Sequence, residues 1–154
     1  MKLLVFITVS MVLSLLACQQ SQVEKTSTSS ETEAKPVRTI LSGTIWLVED
    51  IAGKGVIDNA QTTIRFDESG RVSGSTGCNR FNGTATIEGN IIKFGQLATT
   101  RRACVPALMD QEQRLLKAMG EVRSFAVDQN GLLHLNGANS EPLSRLSPME
   151  DSSQ

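Results

Sequence analysis

Three kinds of hydrophobic patterning follow one another along this 154-residue chain. Lys2 precedes an uncharged, mostly apolar run that ends at "LLAC", Leu15 to Cys18. From Gln19 to Arg38 the chain reads "QQSQVEKTSTSSETEAKPVR", with almost no apolar side chains. From Thr39 on, short apolar segments alternate with turn residues. In "TTIRFD", Ile64 and Phe66 fall on one side and Arg65 and Asp67 on the other, the period of a half-buried strand. "TIWLVEDI" predicts a strand with apolar residues on both faces. Ser69-Gly70 turns the chain into "RVSGS", Glu88-Gly89-Asn90 separates "TATI" from "IIKFGQL", and Asn130-Gly131 separates "SFAVD" from "LLHLN". Asn-Gly between apolar runs is a strong hairpin signal. A last strand is expected in "EPLSRLS", although Leu143 and Leu146 break period two.

One segment has helical spacing. "CVPALMDQEQRLLKAMGEV" carries Pro106 near its start and Gly120 as an expected stop. Leu108, Leu115, Leu116 and Met119 mark the side expected to be buried, and Glu112 falls on it too. Seven or eight short strands and one helix in about 110 residues predict an α+β, mostly β fold. The expected architecture is a small antiparallel sheet closed or nearly closed on itself, with the helix against an opening or one face. Closure would remove unpaired strand edges.

The first two patterns place the domain. A basic start, a short apolar run and a small residue before the cut form a signal-peptide pattern. The run is short of the about 20 apolar residues of a spanning helix. Leu15-Leu16-Ala17-Cys18 resembles the bacterial lipobox. That implies cleavage before Cys18 and acylation of its sulfur and its new amine. At about 0.8 kcal/mol per buried CH₂, several acyl chains would hold the protein to a membrane. Gln19, where an aspartate would favour inner-membrane retention, favours the outer membrane, facing the periplasm. The polar stretch cannot bury enough surface to offset its ordering entropy and is read as a tether. The expected organisation is a leader at 1–17, lipidated cysteine and tether at 18–38, one domain at 39–148 and a tail at 149–154.

Charge and chemistry narrow the function. Losing Lys2 with the leader takes the 15 Lys and Arg to 14, against 16 Asp and Glu. That is not the basic profile of a nucleic-acid binder. With Cys18 lipidated, Cys78 and Cys104 remain. An exported pair usually forms a disulfide, here tying the "GCNRF" corner to the helix entry. The alternatives are a metal pair or a nucleophile. There is no Cys-x-x-Cys, and His134, the one histidine, alternates with Leu133 and Leu135 as a surface strand residue would. No metal, cofactor or catalytic residue is expected.

From about Ile45 to Leu146, nearly all of the expected domain, the sequence resembles the META domain family, the HslJ-like heat-shock lipoproteins. Trp46 in "TIWLVED", the stretch "SGSTGCNRFNGTATI", Thr100 and Cys104 in "TTRRAC", Glu112 in the helix, and "LLHL" carry the resemblance. It implies a conical antiparallel barrel with one helix, a place in the bacterial envelope and a link to stress. It supplies no reaction. Some family members look similar to secretin pilot lipoproteins, which hold a lipid tail in a barrel cavity.

Within "GSTGCNRFNG", Gly77 and Gly83 permit close approach or positive φ, Asn79 suits a tight turn, and Phe81 is an anchor in the core. Arg80 and Glu112 are charges that need partners, since a buried unpaired charge costs several kcal/mol. Glu112 is therefore expected to be held by Arg80, or by Asn79 and backbone donors of the corner. The reading of the whole is a monomeric, non-catalytic envelope lipoprotein that binds a lipophilic ligand such as a lipid tail. The alternative is a pilot- or chaperone-type protein that meets envelope proteins through its surface.

Overall fold

The computed structural model describes residues 40–149. The leader, Cys18, the tether and the residues after Met149 lie outside the described residues. The strands are β1 (Ile45–Ile51), β2 (Lys54–Gly55), β3 (Thr62–Phe66), β4 (Arg71–Thr76), β5 (Arg80–Glu88), β6 (Ile91–Phe94) and β7 (Ala98–Thr99). The helix, Pro106–Glu121, precedes β8 (Ser124–Val127), β9 (Leu133–Asn136) and β10 (Pro142–Met149). The path β1-β3-β4-β5-β6-β8-β9-β10 follows chain order, every pairing between these strands is antiparallel, and β10 returns to pair with β1. The described residues thus form a closed eight-strand meander with the helix Pro106–Glu121 against it. The sequence reading lacks only the two-residue strands β2 and β7, which pair with β1 and β5.

Alternation puts Ile64, Phe66, Val72, Phe81, Ala85, Ile92, Leu133 and Leu135 inside the barrel. Each large side chain buried this fully contributes about 1.5–3 kcal/mol. The helix closes one end with Leu115, Ala118 and Met119. Leu108 and Leu116, expected on the same side, are only half-buried. Gly120 is not the stop: it lies in the last turn, and the helix runs to Glu121. It ends where Val122 becomes extended, with Arg123 Nη1 donating to the carbonyls of Gly120 at 3.0 Å and Val122 at 2.7 Å. No described helix is long and apolar enough to cross a membrane.

The irregular spacing of Leu143 and Leu146 has a geometric cause. Against β9 the register shifts between Pro142 and Ser144, and against β1 it shifts between Val48 and Asp50. Each bulge inserts one residue and switches the inward phase. Leu143 and Leu146 are both buried as a result, and so are Val48 and Ile51. The last strand also runs to Met149, opposite Ile45, so Met149 belongs to the sheet and not to the tail.

Carboxylates fasten three of the turns. Asp67 accepts from the Ser69 hydroxyl at 2.6 Å, the Arg71 guanidinium at 2.9 Å and two backbone N–H groups, which holds its carboxyl far below the usual range. Asp128, paired with His134 at 2.9 Å and bonded by the Leu132 and Asn130 N–H groups, is also lowered. So is Glu141, through its own N–H and that of Asn139. Folded-state values below the unfolded ones mean stabilisation that is complete above about pH 4 and lost as pH falls through the folded values. Tm should therefore drop progressively below about pH 4. The triple variant Asp67→Asn/Asp128→Asn/Glu141→Gln should flatten this acid limb in a pH series of thermal melts. An unaltered limb would assign the acid sensitivity to other groups.

Candidate functional site

The motif "GSTGCNRFNG" turns β4 into β5. Gly77 has φ +89°, and a Cβ there would lie 3.0 Å from Gln111 Nε2 and 3.1 Å from the Ala60 methyl. Glycine is needed on both counts. Thr76 and Asn79 close the turn: Thr76 N–H donates to the Asn79 carbonyl at 2.8 Å, and Asn79 N–H donates to the Thr76 hydroxyl at 2.8 Å. Gly83 is the second required glycine, because the Gln96 carbonyl lies 2.7 Å from where its Cβ would stand. Phe81 is 2% exposed and sits in the core.

Asn79 is 5% exposed and uses its whole amide. Its Oδ1 accepts from the Thr100 hydroxyl and from Arg102 N–H, both at 2.8 Å. Its Nδ2 faces Glu112 Oε1 at 3.2 Å and the Arg102 carbonyl at 3.3 Å. Thr100 in turn accepts from Arg80 N–H at 3.1 Å. The Sγ atoms of Cys78 and Cys104 are bonded, with Cα atoms 6.0 Å apart across 26 residues of sequence. The corner, the "TTRRAC" segment and the helix entry are therefore tied together covalently and by the asparagine.

Glu112 is half-buried and takes its bonds from Thr76 Oγ1 at 2.6 Å and Asn79 Nδ2. Arg80 is not its partner. Phe81 points inward, so alternation sends Arg80 outward, where its guanidinium forms no hydrogen bond or ion pair among the described residues. Nor are backbone donors used: two side chains hold the carboxylate. Glu112→Ala should leave two donors short of their acceptor and cost about 1–2 kcal/mol, lowering Tm by roughly 5–10 °C. Arg80→Ala should leave Tm unchanged. Equal losses in thermal melts of the two variants would contradict this assignment.

Sequence reasoning missed Thr76 and Gln111. Gln111 is fully buried, accepts from Ile57 N–H at 2.7 Å, and donates to Thr62 Oγ1 at 2.9 Å and the Thr76 carbonyl at 3.2 Å. Its signal was available, since it stands four residues before Leu115 and eight before Met119. The polar groups of this corner spend themselves on one another, which is the arrangement of a structural knot. His134 is remote from it, on β9 with Asp128. No group of three or more His, Cys, Asp or Glu among the described residues could hold a metal ion.

Concave surface lies outside the barrel. One cleft of about 390 Å³ flanks the knot, between Thr99, Arg101, Met109 and Gln113. A larger one of about 480 Å³ crosses the outer face of β3, β4 and β5. A third, about 250 Å³, has an apolar floor of Ile51, Ala118 and Leu143 with Lys54 and Lys117 at its rim.

Solved structures share this architecture. A protein studied by NMR is 27% identical, with a TM-score of 0.57 over 70% of this chain and 92% of its own. An NMR structure of a protein from Burkholderia xenovorans is 21% identical, with a TM-score of 0.58 over 73% of this chain and 86% of its own. The 1.00 Å crystal structure of a DUF4847-family protein from Bacteroides vulgatus ATCC 8482 is 15% identical, with a TM-score of 0.57 over 72% of this chain and 96% of its own. The last two likenesses concern the fold alone. No curated protein matches the chain significantly. The META domain model matches residues 39–150, which include every strand and the knot of Cys78, Asn79, Thr100 and Glu112, and the chain belongs to the META domain family.

Proposed function

We propose that this chain is a lipid-anchored protein of the bacterial envelope, held through Cys18, whose META domain works without catalysis by contacting a partner from its outer surface. Envelope maintenance under stress is the role this reading assigns. The observation that carries it is the filled bore. Ile64, Phe66, Phe81, Ile92, Leu133 and Leu146 are at most 2% exposed and meet one another across the barrel, with Leu115 and Met119 of the helix over its end. Small barrels filled in this way hold side chains where larger ones hold ligands. Concave surface is instead external, and the cleft over β3, β4 and β5 is mostly polar. The knot supports a non-catalytic role, because its carboxylate and amides are already engaged. The outer-membrane, periplasm-facing location rests on the lipobox-like "LLAC" and on Gln19.

A second reading keeps a lipophilic ligand but moves it from the bore to the apolar-floored cleft beside Ile51 and Leu143. Native mass spectrometry of the full-length product, extracted from membranes of the expressing cells, separates these readings. The expected result is a covalent acyl mass that survives denaturation and disappears in Cys18→Ser, with no further lipid bound. Lipid that leaves on denaturation would move the function to lipid carriage. Absence of the covalent mass would overturn the anchor.

A further inference from the structure

The outer face of β3, β4 and β5 has an unusual distribution of side-chain length. The middle strand, β4, contributes "SGS", Ser73 to Ser75. Ser73 lies between Arg65 and Asn82 in the pairing, and Ser75 lies between Thr63 and Arg80. Long side chains on the outer two strands thus rise on either side of a floor of serine hydroxyls and glycine backbone. Gly74 cannot be larger: a Cβ would overlap the Thr63 carbonyl and press on the Phe81 ring at 2.8 Å. The short side chains of Ser73 and Ser75 leave a cleft of about 480 Å³, with Ile45 beside Arg65 also in its lining. Arg65 and Arg80 are exposed, and neither guanidinium has a partner among the described residues. No carboxylate lines this cleft. A neighbouring cleft of about 540 Å³ shares Arg65, Ser73 and Asn82 with it, and the Asp67 that lines that cleft is already engaged by Arg71 at 2.9 Å.

We propose that this cleft binds an acidic oligosaccharide, a sugar chain bearing carboxylate or phosphate groups. Strand spacing puts the Cα atoms of Arg65 and Arg80 about 12 Å apart, two strands across and one two-residue step along. Two charges at that separation suit anionic groups on a short chain better than one small anion. A guanidinium matches carboxylate or phosphate oxygens in a bidentate fork. The hydroxyls of Thr63, Ser73 and Ser75 and the amides of Gln61 and Asn82 match sugar hydroxyls between the two charges. Phe66, Phe81, Phe94, Phe125 and Trp46 are buried or half-buried, so among the described residues this face offers no ring for base stacking and no aromatic platform for a neutral sugar. The inference deepens the external-contact reading and rests on it.

Free acidic glycans and the phosphorylated sugar headgroups of membrane glycolipids present the same chemistry. The test uses the full chain in a non-glycosidic detergent, titrated with trigalacturonate, maltotriose and inorganic pyrophosphate. A parallel arm uses phosphatidylcholine vesicles carrying a bisphosphorylated glucosamine-disaccharide glycolipid. Saturable binding of trigalacturonate, or of the glycolipid vesicles alone, is expected, and which arm responds identifies the source. The Arg65→Ala/Arg80→Ala variant should bind about tenfold or more weakly, as loss of charge-assisted contacts predicts, with Tm unchanged. Amide shifts should centre on Ser73, Ser75 and Asn82. Maltotriose binding as tightly, an unaffected double variant, or no saturation in either arm would overturn the proposal. Pyrophosphate binding as tightly as the glycans would overturn the sugar assignment. Lipid that is retained in the native mass spectrum, lacks a phosphorylated sugar headgroup and stays bound in Arg65→Ala/Arg80→Ala would defeat the external-contact reading by a separate route, so the two failures are distinguishable.

Discussion

Replacing both Cys78 and Cys104 by alanine is expected to lower Tm by roughly 10–20 °C while leaving the fold in place. The two residues close a loop of 26 residues in sequence separation. On the chain-entropy model such a loop restricts the unfolded chain by about 3.5 kcal/mol. The bridge also has a local task. The segment from Gly95 to Val105 contains only the two-residue strand β7 and lies between β6 and the helix. Its anchors are β7 on β5, the contacts of Thr100 and Arg102 with Asn79 and Arg80, and the bridge itself. Removing the bridge should leave the barrel core in place, because the segment reaches that core only through the half-buried Leu97. Far-ultraviolet circular dichroism should therefore stay native-like at low temperature while the melt moves down. Reduction of the wild-type chain should reproduce the shift. A fall below about 3 °C would mean that the asparagine network alone confines this loop in both states.

Much of this fold was legible because strand alternation and turn chemistry are local. "TTIRFD" places Ile64 and Phe66 inside, and the glycines after Ser69, Glu88 and Asn130 all take positive φ where the chain reverses. What escaped depends on partners distant in sequence. The bulges at Leu143 and at Glu49 exist only once β10 lies between β1 and β9, so the phase of "EPLSRLS" looked wrong when read alone. Lys54–Gly55 and Ala98–Thr99 are strands only by pairing. At the corner, the identities of Gly77, Asn79, Thr100 and Glu112 pointed to a knot. The choice between Arg80 and Asn79 as the partner of Glu112 turned on strand direction, since one residue separates a side chain inside the sheet from one outside. The serine floor between Arg65 and Arg80 spans three strands, and no local pattern announces it.

Gln111 is the residue whose loss should be felt most at the knot after the disulfide. It is a fully buried amide on a helix stripe otherwise made of Leu115, Ala118 and Met119. Its three bonds join the helix to Ile57, Thr62 and the Thr76 carbonyl, beside the bond from the Thr76 hydroxyl to Glu112 one residue on. Gln111→Leu keeps most of the volume and removes the bonds. It should cost about 2–3 kcal/mol, since a buried donor or acceptor left unmade costs about 1–3 kcal/mol. Gln111→Ala adds a cavity and should cost about 3–4 kcal/mol. Urea unfolding of both variants separates the two contributions, with unchanged m-values expected because the folded surface stays the same. Hydrogen exchange at the Ile57 amide should accelerate in both. A leucine variant as stable as the parent would mean that packing alone seats the helix. Combined with the loss of Cys78 and Cys104, Gln111→Leu should cost more or less than the sum of the separate effects, because both devices fasten the same corner to the same helix and such neighbours couple.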